Sequence, residues 1–128
     1  MPKRFGKKRI ASLLIFILIA IEIFWFSSLP GGGGGGVGGS WPSRIYHFTI
    51  FFLLNFFLLA SIKPGKKLKF KQIMLALFLS LIYAILDEVH QMFVPFRGPG
   101  VSDVLTDTAG IFFSILVSFM FAKKVKKS

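Results

Sequence analysis

Four long apolar segments, separated by polar connections, dominate the amino-acid sequence. They cover residues 10–29, 45–62, 73–94 and 104–122. None of them alternates between apolar and polar positions as a half-buried strand would. Because a helix rises about 1.5 Å per residue, a run of roughly 18 or more apolar residues can cross the hydrocarbon core of a bilayer. The pattern therefore predicts an all-α, polytopic integral membrane protein, a bundle of four transmembrane helices.

The composition agrees with this class. Hydrophobic residues make up 54% of the 128 residues, which leaves too little polar surface for a soluble domain of this size. We expect a single domain over 1–128. The net charge of +11 does not indicate nucleic acid, because the lysines flank apolar segments and better suit the anionic inner leaflet of a membrane. The chain has no cysteine, which excludes disulfides and thiolate metal sites.

The basic residues predict the orientation in the membrane. Most of the 16 lysines and arginines fall in three clusters, at 3–9, 63–71 and 123–127. The other two connections contain one arginine each, Arg44 and Arg97. By the positive-inside rule, both termini and the 63–71 connection face the cytoplasm, and the two connections with single arginines face outside. The lipid bilayer of the cell membrane is thus the expected environment.

The first apolar segment and the glycine-rich run that follows it each allow an alternative reading. A secretory signal peptide would also begin with basic residues and an apolar stretch. Glu22 and the poor cleavage sequence at 27–30 instead favour a retained helix. The loop 30–40 formally matches a dinucleotide-binding glycine pattern, but no strand precedes it, so we interpret it as a flexible outer linker.

Polar residues of the four predicted helices lie at similar depth. Glu22 is about 20 Å from the inner face along helix 1, and Asp87 is roughly 24 Å up helix 3. His47 is expected in the first turn of helix 2. Asp103 begins helix 4, with Asp107 one turn below it. The sequence therefore predicts that polar groups from all four helices meet in the outer half of the membrane.

Helical spacing groups these residues further. Gln91 and His90 follow Asp87 at i+4 and i+3, and Gly110 follows Asp107 on one face of helix 4. A glycine at that position would let another helix approach closely. We expect Asp107 to face the bundle and to meet helix 3 near Asp87 or Arg97, because a carboxylate facing lipid is costly.

The acidic residues allow two interpretations. Ser102 or Asp103 can cap helix 4, which explains Asp103 as well as chemistry does. The set can also form a salt-bridge network with Arg44 and Arg97. Two arginines cannot neutralise five acids. Some acids must then be protonated, the histidines charged, or a cation or cationic ligand bound. The five acids are Glu22, Asp87, Glu88, Asp103 and Asp107.

The arrangement of these residues resembles a known family. Residues 87–97 read DEVHQMFVPFR, and Asp103, Asp107 and Gly110 follow. This is similar to the signature of the VanZ-like membrane proteins, roughly DExxQxFxPxR, then D, then D or N, then G. The segments 26–30 (FSSLP) and 44–48 (RIYHF) also resemble parts of that family. Ser43 departs from it, because the family often has an aspartate before the basic residue.

The resemblance implies a setting at the cell envelope. The founding member of the family is associated with resistance to teicoplanin, a glycopeptide that acts outside the cell on envelope precursors. Two function classes stay open: a membrane-embedded enzyme acting on a lipid-linked or other anionic envelope group, and a non-catalytic binding or accessory protein with the same pocket. A small proton-coupled carrier is a weaker third option, because four short helices leave little room for alternating access.

Each polar residue receives a candidate role. Candidates for acid–base chemistry, proton transfer or cation binding are Asp87, Glu88, Asp107 and His47. Candidates for contact with a ligand are Arg44, Arg97, His90, Gln91, Asp103 and Glu22. Arg97 lies in a turn rich in proline and glycine, where it either holds an anionic ligand through two parallel hydrogen bonds or extends to the lipid head groups.

Overall fold

The computed structural model describes residues 3–29, 41–62, 68–95 and 101–127, and these segments form four helices. The helices are α1 (Lys3–Ser28), α2 (Trp41–Ile62), α3 (Phe70–Met92) and α4 (Val101–Lys127). All four are long and apolar enough to cross a membrane. The prediction of an all-α bundle with four membrane-length helices is confirmed for the described part of the chain. The glycine-rich loop 30–40 lies outside it.

The helices extend beyond the apolar segments that predicted them. α1 and α4 continue through the basic clusters, because lysine and arginine are good helix formers and tolerate the polar boundary of a membrane. α2 begins at Trp41 and includes Pro42, whose missing N–H costs nothing in a first turn. His47 therefore lies well inside α2, and the expectation that it occupies the first turn is wrong. In α4, which begins at Val101, Asp103 is in the first turn, where an acid suits the helix dipole as expected, but neither Ser102 nor Asp103 precedes the helix as a cap would.

The central element is α2, which packs most extensively against α4 and α1. Its buried residues recur every three or four positions, so they form one continuous face along the helix. They are His47, Ile50, Phe51, Leu54, Asn55, Leu58 and Leu59. The apolar core around this face is completed by Ile23 of α1, Ala84 of α3 and Ile111 of α4. The core thus contacts all four helices.

The outer surface of the bundle is apolar, whereas its interior contains polar groups. Large hydrophobic side chains such as Leu18 and Leu105 are about two-thirds exposed, at 65% and 66%. Buried polar residues include Ser27, His47, Asn55 and Asp107. This distribution suits a lipid environment, where exposed apolar side chains meet acyl chains and polar groups turn inward.

The two ends of the bundle differ. At the end with the basic clusters, Arg9 Nε donates a hydrogen bond to the carbonyl oxygen of Ser61 at 3.0 Å, which joins the start of α1 to the last turn of α2. α3 also begins at this end, where the backbone N–H of Lys69 donates to Gln72 Oε1 at 3.0 Å. We call the opposite end, around Ser28, Trp41 and Met92, the upper end. The polar residues with candidate roles lie towards it.

Candidate functional site

A histidine of α2 and an aspartate of α4 form the closest polar pair inside the upper end. His47 Nδ1 and Asp107 Oδ1 lie 2.9 Å apart and share a hydrogen bond. Asp107 is 1% exposed and His47 is 7% exposed. The other ring nitrogen, His47 Nε2, is 4.0 Å from Asp103 Oδ2. One imidazole therefore lies between two carboxylates that are one turn apart on α4.

This pair depends on the close approach of α2 and α4. A Cβ atom on Gly110 would collide with the carbonyl oxygen of Phe48 and would lie 3.1 and 3.2 Å from Phe48 C and Phe52 N. Only a glycine fits here, because the obstructing atoms belong to the backbone and cannot rotate away. The prediction that Gly110 allows close helix packing is confirmed. Gly110 lies one turn below Asp107, and Phe48 directly follows His47, so this contact sets the His47–Asp107 distance.

The third member of the site comes from α3. Asp87 is 7% exposed, and Ser27 Oγ of α1 donates a hydrogen bond to Asp87 Oδ1. Gln91 Nε2, one turn along α3, donates to Ser27 Oγ at 3.1 Å and lies 3.4 Å from Asp87 Oδ2. These contacts fix the Asp87 carboxylate against α1. The predicted shared face of Asp87 and Gln91 is confirmed by this contact.

The three residues converge on one small volume. A ring nitrogen of His47 and one carboxylate oxygen each of Asp87 and Asp107 all lie within 4.8 Å of one another. The prediction that Asp107 faces the bundle and approaches Asp87 is confirmed, although its hydrogen-bond partner is on α2 and not on α3. We call these three residues the buried triad. A nitrogen and two carboxylate oxygens at this spacing can move protons, bind a cation, or bind a polar group of a ligand.

Other predicted residues surround the triad without joining it. His90 stacks on Phe24 of α1, with ring centroids 4.7 Å apart, and its Nε2 is 2.9 Å from Ser28 Oγ. Arg44 lies near the start of α2 with its guanidinium carbon 5.7 Å from the centroid of the Trp41 ring. A tryptophan and an arginine side by side at a helix end are typical of the membrane interface.

The remaining predicted residues differ in how exposed their side chains are. Glu22 is exposed on α1, so the structure does not place it in the interior with the other acids. Glu88 and Asp103 are partly buried, on α3 and α4. Arg97 lies outside the described residues. Polar groups from all four helices therefore meet as expected, but the residue that α1 contributes is Ser27 and not Glu22.

Sequence reasoning missed a second polar layer deeper in the bundle. Asn55 Nδ2 of α2 donates to Ser114 Oγ of α4 at 2.7 Å, and Ser80 Oγ of α3 donates to Asn55 Oδ1 at 2.8 Å. All three side chains are at most 1% exposed. Serines within the apolar runs of α3 and α4, at the depth of Asn55, were the signal that could have located this layer. It joins three helices and supports the geometry of the triad above it.

Comparison with known proteins identifies the family of this chain. The VanZ/LLP1 family matches residues 4–122, which is nearly the whole sequence. No curated protein and no solved structure matches the chain significantly. The match includes the whole of α2 and α3, most of α1 and α4, and every residue of the buried triad. The chain therefore belongs to the VanZ/LLP1 family of membrane proteins.

Proposed function

We propose that this VanZ-like protein uses the buried triad and its surroundings to act on, or recognise, a lipid-linked envelope group at the outer face of the cell membrane. The observation that carries the proposal is the placement of His47, Asp87 and Asp107. Three buried ionisable side chains from three membrane-spanning helices meet in one volume. Ionisable groups in such segments are costly, and they usually mark a path or a binding site for a polar substrate.

The basic clusters support an outward direction for this site. The triad lies towards the upper end of the bundle, whereas the clusters at 3–9 and 123–127 belong to the opposite ends of α1 and α4. The positive-inside rule directs those ends to the cytoplasm. The site then faces the outer leaflet, where lipid-linked envelope precursors and glycopeptides meet.

The arginine near the membrane interface suits an anionic head group. Arg44 lies beside Trp41 at the start of α2, three residues before His47. A guanidinium binds phosphate or carboxylate through two parallel hydrogen bonds. Arg44 at the rim and the buried triad inside would hold the head group of a lipid. The hydrocarbon chain of that lipid would lie along the apolar outer surface of the helices.

The proposal is tested by the susceptibility of cells to teicoplanin. Sensitive cells producing the wild-type chain should grow at higher drug concentrations than cells without it, and Asp107→Asn should remove this protection at equal membrane levels. Thr108→Val is the matched control. It is an isosteric change at the next position of α4, and it removes a hydroxyl that donates to the carbonyl oxygen of Val104 in the same helix at 2.7 Å. Full protection by Asp107→Asn would refute a role for the triad, and no protection by wild type would refute the link to glycopeptides.

Mass spectrometry of lipid-linked precursors separates catalysis from recognition. Catalysis predicts a precursor species that changes in cells with the wild-type chain and stays unchanged with Asp107→Asn. Recognition without catalysis predicts protection with an unchanged precursor profile. Both outcomes are consistent with the site. A changed precursor assigns it to an enzyme, and an unchanged profile assigns it to a binding protein.

A further inference from the structure

We infer that the buried triad binds one divalent transition-metal ion, of the Zn²⁺ or Mn²⁺ type, which contacts a phosphate-bearing head group. The metal site itself rests on the geometry of His47, Asp87 and Asp107. The assignment of a phosphate ligand also rests on the proposed function. Each residue comes from a different helix, so a bound ion would link α2, α3 and α4.

The donor set matches this class of ion. One imidazole nitrogen and two carboxylate oxygens favour a transition metal such as Zn²⁺ or Mn²⁺ over Ca²⁺, which prefers oxygen ligands alone. Metal–ligand distances of about 2.0–2.2 Å place neighbouring ligand atoms roughly 3–3.5 Å apart. His47 Nδ1 and Asp107 Oδ1 are 2.9 Å apart, and all three ligand atoms lie within 4.8 Å. Small side-chain rotations would close the set around an ion.

Charge gives an independent reason for a cation. Two carboxylates beside one imidazole attract a cation when the carboxylates are ionised. The site is at most 7% exposed at each residue and belongs to membrane-spanning helices. A divalent ion would neutralise both carboxylates and bind a neutral imidazole, which lowers the cost of burying the set.

The surrounding contacts resemble those that orient metal ligands. Ser27 and Gln91 hydrogen-bond the Asp87 carboxylate and restrict its rotation. Gly110 brings α4 close enough to place Asp107 against His47. Outer contacts of this kind fix the direction of a ligand and typically change metal affinity by about 10–100-fold when removed.

A metal also resolves a conflict in charge. An acidic cluster would repel the anionic head group that the proposed function requires. Three protein ligands leave at least one coordination position open, as in catalytic zinc sites. A phosphate oxygen in that position would bind the metal ion, and the ion would then link the phosphate to the carboxylates of the triad. The implied ligand is therefore a phosphate or diphosphate monoester or diester, carried on a lipid.

Metal binding is tested on the purified chain in detergent, stripped with EDTA and titrated with Zn²⁺, Mn²⁺ and Ca²⁺ in separate experiments. We expect one Zn²⁺ or Mn²⁺ per chain and weaker binding of Ca²⁺. Asp107→Asn and His47→Gln should weaken binding by more than the roughly 10–100-fold expected for Gln91→Met, which changes only an outer contact. Thr108→Val is the matched control, because it changes the residue next to Asp107, whose hydroxyl donates to the carbonyl oxygen of Val104, and it should leave affinity unchanged.

A spectroscopic measurement on the wild-type chain covers the case in which a variant fails to fold. Electron spin echo spectra of bound Mn²⁺ should show coupling to an imidazole nitrogen. Binding without nitrogen coupling, no stoichiometric binding, or equal affinity in a folded Asp107→Asn chain would overturn the metal site.

The source of the phosphate and the proposed function are tested separately. Vesicles containing an isoprenyl phosphate should compete with free inorganic phosphate for the Mn²⁺-loaded chain and should bind at least tenfold more tightly. Equal binding would refute the lipid-linked ligand and retain the metal. Loss of teicoplanin protection in Asp107→Asn, combined with a wild-type chain that binds no metal, would overturn the metal and retain the proposed function.

Discussion

The substitution Gly110→Ala tests how the packing of two helices sets the site. The new methyl group would collide with the carbonyl oxygen of Phe48 and press on Phe48 C and Phe52 N, at 3.1 and 3.2 Å. These are backbone atoms of α2, so the collision is relieved only if α2 and α4 move apart. Their interface is the most extensive in the bundle, so the movement would loosen the core on both sides.

Two opposing terms set the magnitude. Extra volume in a well-packed core costs about 1–3 kcal/mol, and a rigid backbone obstacle favours the upper part of this range. Alanine recovers up to about 1 kcal/mol of helix propensity relative to glycine. We therefore expect the free energy of unfolding to fall by about 1–2 kcal/mol. Separation of the helices should also lengthen the 2.9 Å contact between His47 and Asp107 and reduce teicoplanin protection.

Reversible unfolding by SDS in mixed micelles measures the stability term. Gly6→Ala is the matched control, since within the described residues, and apart from the adjacent backbone of α1 itself, no atom lies within 4 Å of the Cβ position at Gly6. This control should be neutral or slightly stabilising, because it gains propensity without a collision. If Gly110→Ala proved as stable as Gly6→Ala, the close approach of α2 and α4 would be refuted, and with it the explanation for the position of Asp107.

Two further predictions concern the deep polar layer and the orientation. Asn55→Leu removes the hydrogen bonds to Ser80 and Ser114. Because such a bond contributes about 0.6–1.7 kcal/mol in a membrane, the substitution should lower the free energy of unfolding by roughly 1–3 kcal/mol. An unchanged unfolding curve would contradict the structural role of this layer. Because the chain has no cysteine, a single thiol can report topology. Gly35→Cys should react with a membrane-impermeant maleimide on intact cells, whereas a cysteine added after Ser128 should react only in permeabilised cells, and the reverse pattern would defeat the outward direction of the site.

The local pattern predicted the helices well and their ends less well. Long apolar runs are sufficient to identify membrane-length helices, because a bilayer fixes the required length. The ends were missed where the helix continues through residues that are polar but good helix formers, as in the last turns of α4. At α2 the apolar run began at residue 45, although Trp41 and Pro42 correctly indicated a helix start at the membrane interface. That error of four residues moved His47 from the first turn to the interior.

Spacing along one helix predicted part of the site, and contacts between helices supplied the rest. Asp87 with Gln91, and Asp107 with Gly110, follow from helical periodicity alone. The pairing of His47 with Asp107 does not, because it depends on which two helices approach most closely. The role of Ser27 was also hidden. Serine in an apolar helix often bonds its own backbone, as Ser28 does to the carbonyl oxygen of Phe24, so its sequence gives no sign of a partner on another helix.

The most direct test of the central claim is the free energy of unfolding of Asp107→Asn, measured with EDTA present so that metal binding does not contribute. Asparagine keeps the shape and a hydrogen bond to His47 but removes a buried negative charge, whose cost in a membrane helix is about 2.5–3.5 kcal/mol at the centre. If the triad exists for function, the variant should be as stable as wild type or more stable, while it gives no protection against teicoplanin. A fall in stability of more than about 2 kcal/mol with protection intact would assign Asp107 to the scaffold and contradict the account.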